Sequence, residues 1–251
     1  MPQDPQRVLL WITIVLATAV TLSALRMSVK ERSATPLLMV IGAFAAILLE
    51  PVVTFLGHAI HPQIGQISLF EALDRPIPWH IALGYVAAFG IFYLVLHSKW
   101  LRGRLTKGVI VKVTLVTALC YYIGEAYPVE HGLWGYYDYQ PLWIWKGTAP
   151  PTWSVLNATS MLMSYTLMVI ALPHLRGVSR LLLPPLAVSG AFMGHMGAGF
   201  PMYNAINSDA PHWLMQISGV ASIVMALIIV WLCTILLTRN PSGKAGCASP
   251  S

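Results

Sequence analysis

What this chain lacks narrows it more than any single motif. Of its 251 residues only 10% are charged, against 57% hydrophobic. A soluble globular domain carries roughly 25% charged residues, so a surface that mostly faces water is excluded. Cysteine is scarce: Cys120, Cys233 and Cys247 form no CxxC and no paired framework. That excludes a disulfide scaffold, and the three read as two small apolar side chains and a tail thiol. Lysine is missing from the last apolar block, 213–238, which excludes a retinal Schiff base there. Also missing are an aspartate-rich diphosphate motif, a GxSxG nucleophile and the HxxHH clusters of diiron oxygenases. No helix-length block pairs histidines as haem b bundles do, and the two halves do not repeat, against an inverted-repeat transporter.

What is present is apolar sequence in long blocks, each near the 20 or so residues that cross a hydrocarbon core of about 30 Å. Seven can be counted, at about 8–26, 36–58, 78–97, 109–126, 153–173, 182–203 and 213–238. The first lacks a small-residue cleavage pattern and is long enough to span, so a retained helix is expected rather than a signal peptide. The net charge of +6 then reports topology, not nucleic-acid binding.

The basic residues are placed unevenly. Arg26, Lys30, Arg32, Lys99, Arg102, Arg104, Lys107, Lys112, Arg176, Arg180, Arg239 and Lys244 fall on one side, and only Arg7, Arg75 and Lys146 on the other. The positive-inside rule predicts an outer N-terminus and a cytoplasmic C-terminus. Acidic residues and six of eight histidines collect on the opposite, outer side: Glu50, Glu125 and Asp209 among the former, His58, His61, His80 and His195 among the latter. The outer connections 59–77 and 127–152 are long and rich in aromatics and Pro, and are expected to fold as a cap.

Glu50 lies about 14 residues into the second block, roughly 21 Å from its cytoplasmic end. A carboxyl group at that depth costs several kcal/mol if charged, so it should face the interior with a partner. Pro51 removes a backbone donor and bends the helix there. His58, at i+8 from Glu50, is expected on nearly the same face, with His61 beyond it. Two histidines are a weak metal signal, and no metal site is expected. A packing hydrogen bond from a neutral Glu50 is the alternative to a functional role.

Glu125 ends the fourth block in CYYIGEAYPVEHGLWGYYDYQPLW, the most unusual segment of the chain. Tyrosine beside a carboxylic acid can donate and receive protons in an apolar pocket, which nominates Glu125 and Tyr136; Trp134 in the same segment and His80 among the outer-side histidines are further candidates. For Glu130, Tyr139 and Trp143 an interfacial aromatic belt suffices. In the sixth block Gly190, Gly194 and Ala198 form a small-xxx-small face, and His195 sits between them. Asn157, Asn207, Asp209 and His212 are expected at the same level. Asn207 and Asp209 could equally cap the last helix.

The segment around Glu50-Pro51, with its long loop to Pro78-Trp79, and the stretch Glu125…Val129…Gly132-Leu133-Trp134-Gly135-Tyr136 resemble the AveC-like spirocyclase family of actinobacterial membrane proteins. The resemblance covers about residues 45–160. Trp134 stands where that family has Tyr, and the chain is shorter than typical members. The family implies spiroketal formation and dehydration on a polyketide. The Gly-x-x-Gly-x-Tyr pattern is also similar to carotenoid hydratases of the bisanhydrobacterioruberin type. The pairing of Glu50 with Asp209 resembles small membrane-bound terpene cyclases of meroterpenoid pathways.

The expectation is an all-α, multi-pass bundle of seven helices in a bacterial cell membrane: residues 1–238 as one transmembrane domain and 239–251 as a disordered cytoplasmic tail. It would be a cofactor-free acid–base cyclase or dehydratase acting on a lipophilic polyketide or terpenoid. Glu50 would be the acid, Glu125 or Asp209 the base, and His58, His80, Trp134, Tyr136, Asn157 and His195 would bind substrate. Expected partners are that small molecule and membrane lipid, with no nucleic acid. A non-catalytic lipid- or pigment-binding protein or a small transporter is the reading from another class.

Overall fold

In the computed structural model, which describes residues 1–239, seven helical spans are long and apolar enough to cross a membrane. They run Gln3–Glu31, Thr35–Leu56, Trp79–Leu101, Lys107–Glu130, Pro151–His174, Gly177–Ile206 and His212–Arg239. The chain is an integral membrane protein. The tail beyond Arg239, with Cys247 in it, lies outside the described residues.

The first span is one helix, α1 (Gln3–Glu31). At about 1.5 Å per residue it is some 44 Å long and overreaches a core of about 30 Å. Its protruding first turn is tied to the loop that follows the second span: Gln6 Nε2 donates to the Gly65 carbonyl at 3.0 Å, and the Ile67 N–H donates to Gln6 Oε1 at 2.8 Å. The second span is broken. The helix α2 (Thr35–Ala45) tightens into a 3-10 turn over Ala46–Leu49 before α3 (Glu50–Leu56) restarts. Pro51 is the cause. It lacks an N–H for the preceding turn, yet is well tolerated in the first turn of a new helix.

The loop to the third span holds β1 (Ala59–Ile60) and a hairpin of β2 (Ser68–Ala72) with β3 (Arg75–Pro78). Leu73 and Asp74 both have φ of 54° at the hairpin tip, the paired positive values that a two-residue turn of right-handed strands requires. Then come α4 (Trp79–Leu101), α5 (Lys107–Gly124) and, after a break at Glu125, α6 (Ala126–Glu130). A last strand, β4 (Gly135–Tyr136), pairs antiparallel with β1. The remaining helices are α7 (Pro151–Ala171), α8 (Leu183–Ile206) and α9 (His212–Arg239). The helical bundle therefore stands as expected, and the long connections add two small sheets at the end that carries the N-terminus.

The bundle is tightest where small residues let backbones meet. A Cβ on Gly190 would sit 2.5 Å from Ser164 Cα, and one on Gly194 2.8 Å from Ser160 Cα. At that range Ser164 Oγ donates to the Ala187 carbonyl (2.7 Å) and Ser160 Oγ to the Ala191 carbonyl (2.8 Å). This is the small-xxx-small packing that Gly190 and Gly194 announced, with serines on α7 as the receiving face. Against α1, Gly90 of α4 plays the same part: a Cβ there would meet Val20 at 2.5 Å. By contrast α4 and α5 touch little. A cavity opens between them, bordered also by α1 and α7.

Candidate functional site

The β1–β4 ladder is only two residues long, Ala59 opposite Tyr136 and Ile60 opposite Gly135, but it joins the two segments richest in chemistry. It lays the chain after Glu50 alongside the chain after Glu125. Gly57 permits the approach of the helix beneath: a Cβ there would lie 2.3 Å from the Trp153 ring. The 137–150 segment is stitched over this end by hydrogen bonds to the backbone and to α9. Gln140 Nε2 donates to the Gly57 carbonyl at 3.0 Å, Thr148 Oγ1 to the Tyr122 carbonyl at 2.7 Å, and the Leu142 N–H to Gln216 Oε1 at 3.0 Å.

Below the ladder lies a cavity of about 710 Å³, a size typical of small-molecule sites. Its polar end is formed by Glu50, His61, His80, Tyr85, Tyr121, Glu125, Trp134, Tyr136, Trp153 and Asn157. Each carboxyl group projects from a helix break, Glu50 where α3 restarts and Glu125 where α5 stops, so neither competes for a place inside a regular apolar stripe. Glu50 has two partners. Tyr85 Oη donates to Glu50 Oε2 at 2.8 Å, and His61 Nε2 lies 3.2 Å from Oε1. Glu125 is buried and accepts from Tyr136 Oη at 2.6 Å. The phenol of Tyr136 is held well above its ordinary pKa, first by burial, then by the Glu125 carboxylate and its hydrogen bond, and by Glu50. It is a donor across the physiological range. Both carboxyl groups and this phenol line the same cavity.

Aromatic rings close the polar end. Trp134 meets His61 edge-on at 5.9 Å and lies nearly parallel to His80 at 6.3 Å. Trp153 packs edge-to-face on Tyr136 at 5.2 Å. Among the described residues, His61 Nδ1, His80 Nε2 and Trp153 Nε1 are buried without a hydrogen-bond partner, and all three residues line the cavity. They sit inside the wall, shielded from the cavity space itself, and are polar atoms whose hydrogen bonds the surrounding side chains do not supply. Among the described residues no group of three or more His, Cys, Asp or Glu is arranged to hold a metal ion.

The residues nominated from sequence divide. Glu50, Glu125, His80, Trp134, Tyr136 and Asn157 come together in the cavity wall. Three do not. His58 is not on the Glu50 face, because α3 ends at Leu56 and His58 takes a φ of 53° in the turn. Its Nδ1 lies 2.9 Å from Asp138 and its ring stacks on Tyr137 at 4.8 Å, so it fastens the cap. His195 is fully buried behind the wall, with Nε2 2.6 Å from Tyr203 Oη and its ring edge-on to Trp153. It supports Trp153 and does not reach the cavity. Asp209 is exposed in the turn between α8 and α9, away from the cavity lining. Its neighbour Asn207 does not cap α9 either. Its Nδ2 donates to the Leu56 and Tyr203 carbonyls, at 2.6 and 2.8 Å, and so closes the end of α8.

Four residues of the site are not among those nominated. His61 reads in sequence only as a weak metal candidate, and Tyr121 only as part of an aromatic segment. Tyr85 and Trp153 give no signal beyond being aromatic in an apolar span. No protein-family model, no curated protein and no solved structure matches the chain.

Proposed function

We propose that the protein is a membrane-embedded acid–base enzyme that cyclises or dehydrates a lipophilic natural-product intermediate of polyketide or terpenoid type. The observation that carries this reading is the pair of carboxyl groups, each hydrogen-bonded to a tyrosine, in the wall of one apolar cavity. In outline, Glu50 protonates an alkene, an epoxide oxygen or a hydroxyl of the substrate. The resulting cation or leaving water is resolved when an internal oxygen or carbon attacks, or when a neighbouring C–H or O–H proton is lost to Glu125. One proton enters the substrate from Glu50 and one leaves to Glu125, so ring closure conserves mass and dehydration releases one water. To reset, Glu125 releases its proton to solvent and Glu50 regains one through His61, 3.2 Å from it, while Tyr136 holds one Glu125 oxygen by its hydrogen bond. Donors and carboxyl groups held in place act strongly in a dry site. The rings of Trp134, Trp153 and Tyr121 offer π faces to a developing cation.

The charge pattern supports an orientation with the N-terminus and this site on the outer side of a bacterial cell membrane and the C-terminus in the cytoplasm. The likeness of residues 45–160 to AveC-like spirocyclases supports the same chemistry, and the reading needs no cofactor.

Purified protein in detergent, with no gradient, is to be incubated with linear polyene epoxides, hydroxy-ketones and tertiary alcohols and followed by mass spectrometry. Conversion to an isomer, or to a product lighter by one water, supports the enzyme. Binding without conversion, or substrate-dependent proton flux in liposomes, would assign the cavity to a lipid-binding protein or a transporter.

A further inference from the structure

Away from its polar end the cavity is a trough. On α4 its wall is Ile81, Gly84, Ala88, Ile91 and Val95, on α5 Val113, Val116, Cys120 and Gly124, and α1 adds Leu9, Thr13 and Leu16 beside α4. All three are rows at helical spacing of three and four. From Glu125 to Lys112, which lines the far end, is thirteen residues, or about 20 Å along α5. That is roughly two-thirds of a hydrocarbon core of about 30 Å.

The walls show which side is open. Ile91 is 47% exposed and Val116 50%. Both line the trough on spans long enough to cross a membrane, so the surroundings onto which this part of the trough opens are lipid. Gly84 and Gly124 face open space, since a Cβ at either would meet nothing within 4 Å. The polar end is closed by contrast. His61, His80, Trp153 and Ala59 of β1 are all buried, and the Trp134 ring packs against both His61 and His80. A molecule reaching Glu50 and Glu125 along the trough passes between α5 on one side and α1 with α4 on the other, at membrane depth, whereas buried residues cover the route from water.

Resting on the catalytic reading above, we infer that the substrate is an extended, apolar chain taken sideways from the bilayer. It lies along the α4–α5 trough parallel to the helices, with its reactive end (alkene, epoxide or hydroxyl) among Glu50, Glu125 and His80. A compact polycyclic substrate would not use the trough. A water-soluble one would not find the opening.

The test uses full-length protein in phosphatidylcholine nanodiscs with hexadecanol carrying a mid-chain diazirine, photolysed and mapped by peptide mass spectrometry. Adducts should concentrate on residues 84–95 and 113–120. Filling the trough from either side, with Gly84→Trp or Val116→Trp, should lower them by about tenfold or more, the factor to which a modest overpacking cost corresponds. Labelling spread evenly over the lipid faces of all seven spans, or adducts that neither tryptophan reduces, would overturn the inference. The two readings fail separately. Trough labelling that survives in a protein whose turnover is indifferent to Glu50→Gln would sink the catalytic reading alone. Turnover unaffected by both tryptophans would sink lateral loading alone.

Discussion

Tyr136 Oη lies 2.6 Å from a Glu125 carboxylate oxygen, although eleven residues and a broken helix separate the two in sequence. The contact exists because β4 turns the chain back to pair with β1. That pairing also sets Tyr136 opposite Ala59, one residue from Ile60 and two from His61. One short ladder thus assembles both halves of the site.

Removing the phenol tests that contact. Tyr136→Phe should slow turnover by about tenfold, in line with a charge-assisted hydrogen bond worth roughly 1.5–3 kcal/mol. Because burial and the two carboxyl groups raise the Tyr136 pKa, its neutral, donating form persists in the folded protein above about 10, the ordinary value, and the stability that preference contributes is full below that value. That stability declines as pH rises from there through the still higher folded-state pKa, where the donor itself is lost. The wild-type rate should therefore show no alkaline limb at or below pH 10 assignable to this residue. A limb there that disappears in Tyr136→Phe would contradict the geometry.

Gly57→Ala should cost about 1–3 kcal/mol of stability, since the new methyl group meets a tryptophan ring that cannot swing away. Thermal unfolding in detergent reads it. An unchanged midpoint would mean that α3 and Trp153 are not packed as described.

Topology can be read by attaching membrane-impermeant maleimide to single cysteines. Cysteines placed at Gly65 or Gly147 should label from outside, and those at Gly103 or Gly177 should not. The opposite pattern would put the site at the cytoplasmic face.

Asp209→Asn should leave turnover within about twofold, as expected of an exposed position away from the site. A loss as large as that of a carboxyl variant in the cavity would return Asp209 to the chemistry and unseat Glu125 as the base.

The helices were legible in sequence because length and apolarity alone decide whether a segment can span. Most of the site was legible for a related reason: a carboxyl group inside an apolar run must have company. The identity of that company was not. His58 fits by helical arithmetic at i+8, but the arithmetic assumes a helix that continues, and α3 stops at Leu56. His61 gains the Glu50 contact because the chain has turned at His58, an event that depends on a positive φ. Tyr85 comes from another helix, and nothing local distinguishes it from Tyr93, whose hydroxyl lies 2.5 Å from Ser164 Oγ in the bundle core. Strands as short as β1 and β4 have no periodicity to read. Asp209 stands out by its type and depth, and its exposure only shows in three dimensions.

The most direct test of the account is Glu50→Gln, assayed on whichever lipophilic substrate the wild-type protein converts. The side chain sits between His61 and Tyr85, and Gln keeps its shape and much of its hydrogen bonding, so stability should change by about 1 kcal/mol or less. What Gln cannot do is give up a proton. General acid–base catalysis is worth typically about 10²–10⁴ in rate, so turnover should fall by at least that lower factor while the unfolding midpoint holds. A Glu50→Gln variant that keeps more than about a tenth of the wild-type rate, with only Glu50→Ala harmful and harmful through stability, would contradict the acid role and reduce Glu50 to a packing contact.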